Sequence, residues 1–218
     1  MEFKMTNNNL DERIQRLEDI HEIGNLMGRY SYFRTAGLYE PILEMFARET
    51  EGLKVEISDW GVWEGTEGII KLYHGAYRML EGDRIGLLNI QALSTPVIEI
   101  AGDGKTAQAV WISPGFQTIA PGSKLQAYWT WFRYGVDFIK ENNGWKFWHL
   151  HQYDIFLTTY NKSWVETPLL PPPPLPGNVK ADRPTTYHRI YRPDIKTKNV
   201  PAPPCPYPTW NESQSYIE

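Results

Sequence analysis

Residues Asp137-Phe138-Ile139-Lys140-Glu141-Asn142-Asn143-Gly144-Trp145-Lys146-Phe147-Trp148-His149 read as two β-strands joined by a tight turn. Asn-Gly supplies the positive φ angles of a short hairpin, and the flanks are rich in aromatic and β-branched residues. Segments 87–100, 105–113 and 124–140, before the turn, and 145–158 after it share this composition. Gly102-Asp103-Gly104 is a second hairpin signal, and Pro114-Gly115 separates another pair. Consecutive strands with short turns predict an antiparallel sheet.

Three helical patterns precede the sheet. Asp11 caps residues 11–36, where Ile14, Leu17, Ile20, Ile23, Leu26, Met27 and Tyr30 recur at helical spacing, and Gly37 closes the run. Pro41 opens a short helix to about Arg48. Thr66 starts a third, with Ile69, Ile70, Tyr73, Tyr77 and Leu80 inward, ending near Gly82. Residues 54–63 alternate as a strand, Val55 and Ile57 on one side and Glu56 and Ser58 on the other. Helices first and a sheet afterwards predict the α+β class, with three N-terminal helices packed on one face of a curved sheet.

The chain has 218 residues, 41% of them hydrophobic, enough to bury a core. A net charge of -4 leaves no electrostatic footprint for nucleic acid. A lone cysteine, Cys205, excludes a disulfide framework within the chain. Apolar runs are too short to span a membrane, and the expected compartment is the cytoplasm. Thirteen of the 17 prolines fall between Pro168 and Pro208. That segment cannot be an ordinary helix or central strand. It also carries Tyr187, Tyr191, Tyr207, Trp210 and Tyr216, more aromatics than a disordered tail usually holds. The expected division is a folded domain over 11–160 and an extended, ordered, proline-rich arm over 161–218, lying on its own domain or on a partner subunit.

Three stretches resemble the SnoaL-like superfamily, whose cone-shaped fold is shared with nuclear transport factor two. Gly61-Val62-Trp63-Glu64-Gly65-Thr66-Glu67-Gly68-Ile69 resembles its strand-to-helix turn. Thr95-Pro96-Val97-Ile98-Glu99-Ile100-Ala101-Gly102-Asp103-Gly104-Lys105-Thr106-Ala107 resembles its third-strand hairpin, and Asp137–Lys140 with Gly144–Phe147 its final hairpin. The resemblance covers about residues 11–160 and is specific for fold and weak for function, because members include enzymes and non-catalytic binders. It implies a pocket inside the cone, chemistry without metals or organic cofactors, and often a homodimer through the sheet. The Trp-rich sequence and proline-rich tail look most like the branch containing a diarylpropane lyase.

Candidate site residues follow from the residues and the resemblance together. Tyr30 stands where family dehydratases place a Tyr, but the acid they carry five residues on is Thr35 here. A buried Tyr hydroxyl can donate to a carbonyl or developing oxyanion. His149 and His151 share a strand face, expected to be that of Trp145, Phe147 and Tyr153, and either suits acid–base work. His-x-His also fits a metal, with Asp59, His74 or Glu99 as third ligand; no spacing supports that triad, so no metal is expected. Asp59 follows Val55 and Ile57 at period two and is either an inward carboxylate or a turn residue. His74, four residues after Ile70, edges the pocket or marks the helix boundary. Gln91 stands where relatives often carry a His, which removes a titratable group. Trp60, Trp111, Tyr128 and Trp129 are expected to line an aromatic-walled cavity, suited to an aromatic or polycyclic ligand.

Together these lead to a cofactor-independent lyase or dehydratase in which His149 removes a proton, Tyr30 binds an oxygen, and Asp59 or His74 orients the base or protonates the leaving group. Loss of formaldehyde from a phenol and isomerisation need the same groups. The alternative is a non-catalytic small-molecule binder or assembly subunit of the same fold. The expected assembly is a homodimer or higher oligomer with the arm at the interface, without membrane or nucleic-acid partners.

Overall fold

A computed structural model describes residues 10–119, 124–142, 144–168, 170–186 and 191–217. Helix α1 (Leu10–Ala36) buries Ile23, Met27, Tyr30 and Arg34 along one stripe and ends at Gly37, whose φ of 68° terminates it. Helix α2 (Tyr39–Leu43) stops short of the expected Arg48. Its chain is instead drawn to the sheet, where Met45 and Ala47 exchange backbone hydrogen bonds with Phe147.

Strands β1 (Lys54–Ile57) and β2 (Gly61–Glu64) form a hairpin where the sequence suggested a single strand. Helix α3 (Gly65–Ile70) continues through a π-helical segment, Lys71–Tyr77, into α4 (Arg78–Glu81). Then follow β3 (Leu88–Gln91), β4 (Ser94–Ile100), β5 (Thr106–Ile119), β6 (Gln126–Glu141) and β7 (Gly144–Thr159). The sheet order is β2-β1-β7-β6-β5-β3, with β4 also on β5.

Two features differ from expectation. β1 runs parallel to β7, so the sheet is mixed rather than antiparallel. This pairing joins residues about a hundred positions apart, and no turn in the sequence announces it. Pro114-Gly115, read as a separator, lies inside β5. A side chain at position 115 would strike the Ile90 carbonyl, so glycine is needed there for β3 to approach.

The core fills the space between the helices and the sheet's inner face, with Tyr30, Tyr39, Phe46, Tyr73, Phe138 and Phe147 among its largest buried side chains. The described parts of the arm lie on their own domain. Arg183 bridges to Val62, and Val179 accepts from the Trp63 indole at 3.3 Å. Further on, Gly102 and Asp103 donate to the carbonyls of Tyr207 and Pro208, and Trp210 packs on Trp148 with ring centroids 4.5 Å apart. Tyr216 crosses Gly135 on the outer sheet face, where a Cβ would come within 2.7 Å of its ring. Tyr187 lies outside the described residues. Among those residues no helix is long and apolar enough to cross a membrane.

Candidate active site

Two β-bulges decide which side chains of β7 face inward. Asp137 pairs with His149 but Phe138 pairs with Phe147, leaving Trp148 as an extra residue. Side chains alternate along a strand, so one extra residue moves every later side chain to the opposite face. Trp145 and Phe147 therefore enter the core, while beyond the bulge Leu150, Gln152 and Asp154 point inward. His149, His151 and Tyr153 point outward beneath the arm. A second irregularity, between the pairs Trp131–Phe156 and Phe132–Asp154, follows at once.

The inward residues open into a cleft of about 70 Å³ between α1, the π-helical segment and the sheet. Its polar lining is Arg34, Gln91, Gln117, Gln152 and Asp154; Ile57, Trp60, Tyr77, Phe132 and Leu157 form the apolar walls.

Asp154 is only 5% exposed, and burial is the main reason its pKa is raised to about 7. The nearby charge of Asp59 pushes the same way, while hydrogen bonds from Gln152 and Ser58 oppose it. The Gln152 amide donates to Asp154 Oδ1 at 3.0 Å. The Tyr134 hydroxyl lies 2.6 Å from Gln91 Oε1 and 3.2 Å from Gln152 Oε1, which turns the Gln152 amide nitrogen toward Asp154. Burial holds the Tyr134 phenol well above its ordinary pKa, so it acts as a neutral donor.

Arg34 supplies a fixed cation. It donates to the Tyr39 hydroxyl at 2.9 Å, lies 3.4 Å from Glu81 and sits 3.8 Å from the centroid of the Tyr77 ring. Burial opposes its charge, but the surrounding tyrosines, Tyr77 foremost, raise its pKa overall, so it remains protonated. The cleft thus combines a carboxyl that titrates near neutrality, a permanent cation and oriented amides, the elements of proton transfer beside a developing negative charge.

The expected site residues divide between the two faces. Gln91 and Trp60 line the cleft. Asp59 sits in the β1–β2 turn rather than on the strand, half-buried and close enough to influence Asp154. Tyr30 lies in the core, its hydroxyl 3.0 Å from that of Tyr73. Trp111 packs on Phe138, and Tyr128 is buried with its hydroxyl 3.2 Å from Gln126. Trp129 is on the outer face, 37% exposed, because it alternates with the inward Tyr128. His74 lies 3.7 Å from Glu40, away from the cleft lining.

His149 and His151 are likewise not in the cleft, since the Trp148 bulge turns them outward. His149 Nδ1 is 2.8 Å from Asp137 Oδ2 and its Nε2 3.0 Å from the Gly52 carbonyl. His151 Nδ1 is 2.7 Å from the Tyr216 carbonyl and 3.5 Å from Glu56. Glu56, fully buried, accepts from the Thr185 hydroxyl and from the Thr186 amide and hydroxyl, each at 2.6 Å. This polar layer ties the arm to the sheet. Among the described residues no group of three or more His, Cys, Asp or Glu is arranged to hold a metal.

The sequence reading missed Arg34, Gln152 and Asp154. Arg34 was legible: it lies four residues after Tyr30 on the same helix face, whereas Thr35, at five, does not. An Asp set between Tyr153 and the apolar Ile155-Phe156-Leu157 was a second signal, obscured by the bulge.

The fold and cleft can be set beside known proteins. A scytalone dehydratase candidate from Novosphingobium aromaticivorans aligns with TM-score 0.56 and 14% identity over 69% of this chain and 93% of that one. Hexachlorocyclohexane dehydrochlorinase LinA-type3 from Novosphingobium barchaimii aligns with TM-score 0.58 and 13% identity, over 74% of this chain and 99% of that one. At such identities the likeness is one of fold. No curated sequence matches the chain at a significant level. The family model for the SnoaL-like domain matches residues 15–151, well over half of the sequence. The helices-then-sheet architecture and this match together place the chain in the SnoaL-like family.

Proposed function

We propose that the protein is a cofactor-independent enzyme of lyase or dehydratase type whose acid–base group is Asp154. The observation that carries this reading is a buried carboxyl with a pKa near 7, facing a cleft that also holds a permanent cation. As carboxylate, Asp154 removes a proton from carbon next to a carbonyl or phenol-type oxygen. Arg34 and the amides of Gln91 and Gln152 bind that oxygen and stabilise the charge it gains. Asp154 then returns the proton to the leaving group. The cleft, at about 70 Å³, is smaller than the roughly 150 Å³ of a dry engineered cavity that binds benzene. An aromatic substrate therefore inserts its reacting end and keeps its ring at the mouth, against Trp60 and Leu157.

The test is a thermal-shift panel of phenolic dimers, hydroxy-ketones and naphthols, each followed for product by mass spectrometry, on the natural sequence and on Asp154→Asn. A mass change of water or formaldehyde that disappears in Asp154→Asn, with ligand stabilisation retained, supports the enzyme. Stabilisation without turnover of any ligand supports a binder instead. That second reading is favoured by one observation: both strand histidines are held outside the cleft, His149 by Asp137 and His151 by the Tyr216 carbonyl of the arm.

A further inference from the structure

Asp154 is only 5% exposed, so setting its protonation state, with the cleft empty or filled, needs a route for the proton through protein groups. We infer that Ser58 relays protons between Asp154 and the rim carboxyl Asp59, an inference that rests on the reading of Asp154 above. Ser58 immediately follows β1 and is 1% exposed. Its hydroxyl is 3.4 Å from Asp59 Oδ1, and Asp154 is its other carboxyl hydrogen-bond partner. One buried hydroxyl therefore stands between two carboxyls, one inside the cleft and one in a half-exposed turn.

The backbone points the same way. Ser58 has φ 46°, a left-handed conformation that residues with a side chain rarely adopt. Its N–H donates to the Gln152 carbonyl at 2.9 Å, and its own carbonyl accepts from the Thr185 hydroxyl at 2.8 Å. The clamp between β7 and the arm fixes the strained residue and so aims its hydroxyl. Strained residues that the surrounding structure holds in place cluster at functional sites.

The transfer balances. A protonated Asp154 donates to Ser58 Oγ, whose own O–H donates to the Asp59 carboxylate. The O–H bond on Asp154 breaks as a new one forms on Ser58 Oγ, while the original Ser58 proton passes to Asp59. One proton has moved from Asp154 to Asp59, Ser58 ends neutral, and no charge is separated. Reversal reprotonates Asp154. The other titratable groups facing Asp154 do not compete near neutrality. Tyr77 on the π-helical segment and Tyr134 on β6 are held protonated by burial, and Arg34 on α1 stays charged.

Infrared spectroscopy tests this without a substrate. The protonated-carboxyl band that Asp154→Asn removes, at a pH below its midpoint, reports Asp154. Its hydrogen–deuterium exchange is followed after mixing with heavy water. Ser58→Gly deletes the hydroxyl while glycine accepts the positive φ. Asp59→Asn, in an accessible turn, interrupts the far end without touching the buried residue. A relay makes exchange slower by about tenfold or more in both variants. Unchanged exchange in Ser58→Gly overturns the relay and leaves the role of Asp154 standing. If Asp154→Asn removes no protonated-carboxyl band, the reading of Asp154 fails and the relay with it.

Discussion

Asp154 ties the proposed chemistry to stability. Its folded pKa of about 7 lies above that of an unfolded aspartate, so the native state binds the extra proton between the two values. The stability its protonated form supports is present in full below the unfolded pKa. It is lost progressively as pH rises toward and through the folded one. Asp154→Asn, which cannot ionise, should therefore leave stability little changed in acid and raise it at pH 8 by on the order of 3 kcal/mol. Urea unfolding at several pH values measures the difference, and equal midpoints throughout would contradict the burial argument. Tyr134→Phe leaves the oxygens of Gln91 and Gln152 without that hydroxyl. It should destabilise by about 1–2 kcal/mol in the same assay.

At the scale of elements, Trp148 explains why the fold was more legible than the site. The pattern of aromatic and β-branched residues marked β5, β6 and β7 as strands, and the Asn-Gly turn joined the last two. Which face a residue takes depends on the parity of the count from the turn. A bulge changes that parity and leaves no fixed mark in sequence. His149 and His151 were correctly seen to share a face, and the bulge put that face outside. The helices suffered less, because their spacing is read locally: α1 closes at Gly37 and α4 gives way to Gly82, both at positive φ. α2 was overestimated because its last residues were drawn into pairing with β7. The outward face gives the arm its attachment. The double substitution Thr185→Val, Thr186→Val removes hydroxyl donors from the buried Glu56 and should cost about 2–4 kcal/mol, lowering the melting midpoint by roughly 5–15 °C. A midpoint unchanged by calorimetry would mean that the arm does not contribute to stability through Glu56.

For the whole molecule, the order of helices and strands was enough for the α+β class, because each turn signal joined neighbours in sequence, while the cone was implied by the three stretches that resemble the SnoaL-like superfamily. The parallel pairing of β1 with β7 and the course of the arm were not legible, since both depend on contacts between distant residues. The arm lies on the outer sheet face of its own domain, and the aromatic side chains Phe116, Trp129, Trp131 and Tyr160 remain exposed beyond it. Cleft volume also limits ligand size. Phe132→Ala should enlarge the cleft and increase the thermal shift given by fused-ring ligands relative to single-ring ones. An unchanged ranking would place their binding elsewhere.

The measurement closest to the central claim is a carboxyl-carbon NMR titration of protein labelled at aspartate, with Asp154 assigned through Asp154→Asn. A resonance titrating with a midpoint near 7 is the expected result, and it makes Asp154 a proton donor and acceptor at neutral pH. A midpoint in the ordinary aspartate range, about 4, would contradict the account, because the cleft would then hold only a permanent carboxylate beside a permanent cation.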